Sequence, residues 1–262
     1  MKPNISIFFI GIAGSGKSTL TAAFSNWLSL NGVDAVLVNL DPGATNLDYT
    51  PDVNIREWVR LEDVMDDYNL GPNGAQIVSA DLLSLHIQEV LDIVNEFECD
   101  YIIWDTPGQI ELFVYRESST FLLNQFDKNR TLVGFLFEPS LAKSPKGYIS
   151  QIMLSASVQF RFNTPIVHIL SKSDLLSEEE KKRIWNWKDS QELYTSLLEI
   201  EPEMSAQLSF EFFKVMETMD MFHPLIQISS HTQKGFDLLF AQIQQIFMGG
   251  EVPDDSFYSQ PS

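Results

Sequence analysis

Short, nearly continuous apolar runs recur along the chain: ISIFFI (Ile5 to Ile10), AVLVNL (Ala35 to Leu40), YIIWD (Tyr101 to Asp105), TLVGFLF (Thr131 to Phe137), PIVHIL (Pro165 to Leu170) and LIQIS (Leu225 to Ser229). Runs without polar alternation mark strands buried on both faces. Between them, apolar residues recur at helical spacing over Lys17 to Leu30, Asp81 to Phe97, Leu112 to Asn124, Tyr148 to Phe160 and Lys234 to Phe247. Strand and helix in alternation predict an α/β fold, a mainly parallel sheet with helices on both faces, as a single domain over residues 1–248.

Two segments interrupt the alternation. Residues 50–78 hold a short helical pattern around Leu61 to Tyr68, followed by Gly71-Pro72-Asn73-Gly74, which has the composition of a turn. Residues 177–223 form a helical insertion before the last strand, opened by a capping box in which Ser177 is the N-cap and Glu180 reaches back. Its aromatic and methionine residues (Trp185, Trp187, Phe210, Phe212, Phe213, Met216, Met219 and Met221) read as packing or a subunit interface. Residues 249–262, rich in Gly, Pro and Ser, read as a disordered tail.

Composition narrows the partners. With 44% hydrophobic residues in 262, the chain can bury a sizeable core. A formal net charge of -19 argues against nucleic acid and anionic membrane surfaces, where each phosphate contact needs a Lys or Arg. The single cysteine, Cys99, has no internal disulfide partner and reads as a small buried hydrophobe. Neither a secretory leader nor an apolar run of membrane-spanning length is visible, so the expected location is cytoplasmic.

The chemistry concentrates in four motifs. GIAGSGKST, Gly11 to Thr19, follows a buried strand and opens a helix, the setting of a phosphate-binding P-loop. Its glycines let backbone N–H groups of Gly14, Ser15, Gly16, Lys17, Ser18 and Thr19 turn toward phosphate oxygens at a helix N-terminus. Lys17 would reach the β- and γ-phosphates, and Ser18 would ligate Mg²⁺. DTPGQIE, Asp105 to Glu111, begins at a strand end, where Asp105 can hold the Mg²⁺ hydration shell, Gly108 N–H can approach the γ-phosphate, and Gln109 or Glu111 can orient water. NLDPG places Asp41 at the end of the second strand, near the same ligand, as a water-positioning group or metal ligand. In SKSD, Asp174 can accept hydrogen bonds from N1–H and the exocyclic amine of guanine, while Lys172 lays its stem along the base. Adenine offers no N1–H, so this carboxylate selects guanine. ISSH at the last strand, with Ser229 and Ser230, can offer backbone N–H to the guanine carbonyl.

These residues, in this order, resemble the GPN-loop GTPases: the P-loop Gly11 to Thr19, Asp41, Gly71-Pro72-Asn73, DTPGQIE, and Lys172 with Asp174. The resemblance covers nearly the whole chain. It implies GTP hydrolysis to GDP and a homodimer or paralogue heterodimer across the nucleotide face. It implies that the GPN segment acts in trans, with Asn73 at the partner's γ-phosphate region, and that the chain acts as a switch or assembly factor with a protein client. The base motif begins with Ser171 where Asn or Thr is usual, which weakens any bracing of the P-loop from that position. Partitioning ATPases carry an additional P-loop lysine that Ile12 and Ala13 do not supply; a phosphotransferase would need a cationic lid. A nucleotide-gated binding protein with slow turnover is compatible with the same motifs.

Overall fold

The computed structural model describes residues 4–114, 125–200, 203–218 and 225–248. Seven strands, Ile5–Gly11 (β1), Ala35–Asn39 (β2), Val53–Asn54 (β3), Tyr101–Asp105 (β4), Thr131–Phe137 (β5), Ile166–Leu170 (β6) and Ile226–Gln227 (β7), are ordered β3-β2-β4-β1-β5-β6-β7 in one sheet. β1 runs parallel to β4 and β5, β2 to β3 and β4, and β6 to β7. All six expected strands are present. β3 was not expected, because two residues are too few to carry a periodic signal. The last strand is shorter than expected, since Ser229 leaves it to bridge Lys234 in antiparallel fashion.

The chain divides into two compact units, Met1–Leu136 with Arg161–Ile166, and Phe137–Phe160 with Val167–Ser262. In the first unit every residue of β1 and β4 is buried. Parallel pairing aligns Phe9 with Asp105 and Asn39 with Asp105, so the carboxyl ends of β1, β2 and β4 lie side by side. The first helix, Lys17–Leu30 (α1), packs through Leu20, Phe24 and Leu28, and the rings of Phe8 and Trp104 stack at 5.2 Å. Cys99 is half-buried at the opposite end of β4, less enclosed than its expected role as a core hydrophobe.

The largest departure from expectation lies in the GPN segment. After Leu61–Asp67 (α2), a helix runs from Pro72 to Val94 (α3), so Pro72-Asn73-Gly74 is its first turn and not a separate loop; the expected start at Asp81 is nine residues late. Gly71 is the extended N-cap, its carbonyl accepting from Ala75 N–H at 2.9 Å. Proline loses nothing at the first helical position, where its missing N–H would be unpaired. Gly74 costs about 1 kcal/mol inside a helix, which packing offsets: Ala75 is fully buried against Val59 and Val64, with Leu61 and Leu70 around them. Of the helix expected over Leu112 to Asn124, the stretch Ile110–Val114 (α4) is described and the remainder lies outside the described residues.

In the second unit, Pro139–Ala142 (α5) and Pro145–Phe162 (α6) follow β5. The insertion comprises Glu178–Asn186 (α7), Ser190–Leu198 (α8) and Glu203–Thr218 (α9), and Phe236–Met248 (α10) closes the unit. The capping box at Ser177 and Glu180 forms as expected. Trp187 is fully buried against Tyr148, with its indole N–H on Ser196 Oγ at 2.9 Å, and Phe213 is also buried, whereas Phe212 is exposed. Met219 and Met221, the side chain of Met216, and the tail at 249–262 lie outside the described residues.

Gly235 has φ +85°, and a Cβ there would sit 2.2 Å from the Gln227 carbonyl oxygen. Gly235→Ala is therefore expected to destabilise the chain by about 2 kcal/mol, lowering Tm by about 4–8 °C. Calorimetry showing an unchanged Tm would refute a rigid turn at this position.

Candidate functional site

In the first unit, β1 ends at Gly11 and the chain folds over itself before entering α1. Gly14 (φ +76°) and Gly16 (φ +92°, the helix N-cap) take left-handed conformations that glycine adopts without strain, and between them Ser15 N–H closes a turn on the Ile12 carbonyl at 3.1 Å. Gly11 is needed for another reason: a Cβ there would lie 2.6 Å from Ser15 Oγ and 2.9 Å from the Leu136 carbonyl. Lys17 is 6% exposed, and its ammonium donates to the Gly11 and Ile12 carbonyls, each at 3.1 Å. It therefore lies folded over the loop it would serve.

Two carboxylates share its field. Asp105, at the end of β4, is fully buried, and burial pushes its carboxyl up to about 6 despite donors in Ser18 and Tyr49 and the charge of Lys17. Tyr49 Oη donates to Asp105 Oδ2 at 2.9 Å, whereas no hydrogen bond reaches Oδ1 among the described residues. Asp41 follows β2 and is also raised by burial, against the lowering effect of the Gly43 and Gly108 N–H groups and of Lys17 and Arg56. The Gly43 bond measures 2.8 Å. Gly108 N–H, expected at a γ-phosphate, lies close enough to the Asp41 carboxyl here to counter part of the effect of burial.

Asp41 is held by a polar network that the motif reading did not include. Its N–H donates to Asn39 Oδ1 at 3.0 Å, and Asn39 Nδ2 donates to the Asp41 carbonyl and to Asn54 Oδ1. Asn54 Oδ1 also accepts the Arg56 N–H, while the Arg56 guanidinium pairs with Glu62 at 3.2 Å. A fully buried Asn at the end of an apolar run was the available signal for Asn39; Tyr49, in an irregular segment, offered none.

A cavity of about 210 Å³ adjoins these groups, lined among others by Asp41, Gly108, Gln109, Leu61, Leu83 and Phe113. Glu111 is exposed on α4 and does not line it. Asn73, on the first turn of α3, is likewise exposed and outside that lining. Ser18, Asp105 and Asp41 supply hard oxygen donors, and the open Oδ1 suits a cation that keeps most of its shell as water and phosphate. Among the described residues no group of three or more His, Cys, Asp or Glu is placed to hold a metal ion.

In the second unit, Lys172 takes a left-handed turn (φ +49°) that leads into Ser173–Leu175. Asp174 is exposed, and the Ser229 hydroxyl holds its carboxyl below the ordinary value. Ser173 N–H donates to the Ile228 carbonyl at 2.9 Å, which sets the SKSD and ISSH turns together, with Ser230 half-buried beside them. Ser171 donates through both N–H and Oγ to the Phe137 carbonyl, at 3.2 and 2.9 Å. Its hydroxyl proton is thereby directed to β5's last carbonyl.

A family model described as a conserved hypothetical ATP binding protein matches residues 9–249. A GPN-loop GTPase of Pyrococcus abyssi is 33% identical over 88% of this chain and 92% of its own length. The crystal structure of that archaeal GTPase in its apo form superposes with a TM-score of 0.84 at 31% identity, covering 93% of this chain and 97% of that one. A GPN-loop GTPase 1 of Dictyostelium discoideum (29% identical over 92% of this chain) and GPN-loop GTPase QQT1 of Arabidopsis thaliana (37% over 66%) are longer, and the matches span 61% and 59% of them.

The raised carboxyl of Asp105 predicts a pH dependence in metal- and nucleotide-free protein. Between its ordinary 3.8 and about 6, folded chains hold a proton that unfolded chains have released, so stability falls as pH rises through this window. Asp41 acts in the same direction. In EDTA, Asp105→Asn should flatten this decline and exceed wild type by on the order of 2–3 kcal/mol at pH 7. Denaturant titrations at pH 4.5 and 7 check it; parallel declines for both proteins would remove Asp105 as the cause.

Proposed function

Because the chain belongs to the GPN-loop GTPase family, we propose that it binds GTP with Mg²⁺ and hydrolyses the β–γ phosphoanhydride as a homodimer. The observation that carries this is the buried Lys17 ammonium, set over a glycine-turned loop beside Asp41 and Asp105. In hydrolysis, water attacks the γ-phosphorus, the bond to the β–γ bridging oxygen breaks, and GDP leaves with inorganic phosphate. Ser18 and Asp105 would hold Mg²⁺, which would supply neutralisation of the triphosphate charge.

The chain's own residues do the rest. Lys17 exchanges the carbonyls of Gly11 and Ile12 for phosphate oxygens, joining the backbone amides of Gly14 to Thr19. Gly108 N–H, near the Asp41 carboxyl in the free chain, becomes a donor to the γ-phosphate, which leaves Asp41 able to accept from the attacking water. Gln109 lines the same cavity as Asp41 and is the second candidate for placing that water; Glu111, exposed on its helix, is the less favoured one.

Guanine choice rests on Asp174, whose lowered carboxyl is ionised at neutral pH and accepts from N1–H and the exocyclic amine. Lys172 lies along the base, and the Ser229–Ser230 turn offers backbone N–H to the guanine carbonyl. Adenine would leave the carboxylate unpaired, so GTP is favoured over the ATP of the family description. Asn73 is exposed at the start of a helix that Pro72 stiffens, which suits presentation to a second copy's γ-phosphate region. A dimer that closes around GTP and loosens on GDP would act as a cytoplasmic switch or assembly factor for a protein client. The charge of -19 disfavours nucleic acid and anionic membranes as partners.

Two outcomes are expected. GTPase activity per chain should rise with protein concentration, and Asn73→Ala should reduce it about 10- to 100-fold while leaving GDP affinity unchanged; activity independent of both would refute a trans-acting Asn73. Asp174→Asn should weaken GTP use and favour xanthosine triphosphate, and unchanged discrimination in competition assays would remove Asp174 from base recognition.

A further inference from the structure

Tyr49 lies in the irregular stretch between β2 and β3, and both ends of that stretch are tied to neighbouring strands. At its start, Leu40 N–H donates to the Asp105 carbonyl at 2.9 Å. At its end, Asp52 N–H donates to the Leu37 carbonyl, and Asp52 Oδ2 accepts from Leu37 N–H, both at 2.8 Å. Because β2 pairs with β4 so that Asn39 faces Asp105, the stretch between these anchors is carried to the carboxyl end of β4. The Tyr49 hydroxyl meets Asp105 Oδ2 there at 2.9 Å, while Oδ1 receives no hydrogen bond among the described residues.

We propose that Tyr49 is a positioning residue for Asp105, its hydroxyl engaging Oδ2 so that Oδ1 is directed to the shell of a divalent cation. This rests on the proposed role of Asp105 toward Mg²⁺. A carboxylate has two equivalent oxygens and turns about its Cβ–Cγ bond; one fixed donor removes the equivalence and sets the plane. Groups in this relation to a ligand commonly govern metal affinity by 10- to 100-fold. The hydroxyl can play this part because it is a permanent donor. A phenol ordinarily keeps its proton at neutral pH. Contact with Asp105 and proximity to Asp41 also place Tyr49 where the two acidic groups of the site meet, a place no sequence motif marks.

Tyr49→Phe removes one oxygen and keeps the ring, and thermal melting of the apo protein verifies that the variant folds. The readout is release of a fluorescent N-methylanthraniloyl GDP from the full chain as Mg²⁺ is titrated, and in EDTA. For Tyr49→Phe, the Mg²⁺ concentration that half-maximally slows release should rise about 10-fold, with the EDTA rate equal to wild type. GTP turnover should return toward wild type at saturating Mg²⁺. In an Asp105→Asn background, adding Tyr49→Phe should change nothing further. An unshifted Mg²⁺ midpoint overturns the proposal, and so does faster release in EDTA, which would mean a packing role. A further loss in the Asp105→Asn background overturns it too. If wild-type release ignores Mg²⁺ altogether, the metal role of Asp105 fails and Tyr49's role with it. If wild type responds and Tyr49→Phe responds identically, only Tyr49 is removed.

Discussion

One buried ammonium facing two strand-end carboxylates is the constraint around which the first unit is organised. Lys17 and Asp105 are almost wholly removed from water, and an isolated charge in such a place would cost many kcal/mol. Their burial is tolerable because each has partners: Lys17 has two loop carbonyls and the field of the carboxylates, and Asp105 has Tyr49, Ser18 and Lys17. The balance still favours protons on the acids, since burial dominates at both Asp41 and Asp105. Positive charge brought close to these carboxyls would favour their ionised forms.

The surrounding structure maintains that arrangement. Parallel register brings the ends of β1, β2 and β4 to one level, which is why a loop after the first, an Asp after the second and an Asp at the end of the third can converge. Asn39, Asn54 and Arg56 then fix the turn that carries Asp41. In the second unit, backbone pairing between Ser173 and Ile228 brings Ser229 beside Asp174, where its hydroxyl favours the ionised carboxyl.

The GPN segment shows how local preference and packing compete. Gly-Pro-Asn-Gly has the composition of a turn, and in isolation a turn would be its lowest-energy form. Here the buried contacts of Ala75 with Val59 and Val64 draw the same residues into a helix, for which Pro72 is already shaped at its first position. The consequence for Asn73 is mechanical: it is carried on the end of a 23-residue helix and not on a flexible loop.

By itself the sequence determined the buried strands, the P-loop between β1 and α1, the capping box at Ser177 and the order of the nucleotide motifs. Each of these depends on residues a few positions apart, through periodicity, glycine conformations or hydrogen bonds within one turn. Tertiary structure decided what depends on residues far apart in the chain. The approach of Gly108 to Asp41, the closure of Tyr49 onto Asp105 across 56 positions, the hydrogen bond from Ser171 to Phe137 and the helical start at Pro72 are of this kind. The physical reason is common to all four. Their partners are chosen by strand register and by burial of neighbouring apolar groups, quantities that come into being only when the sheet has formed.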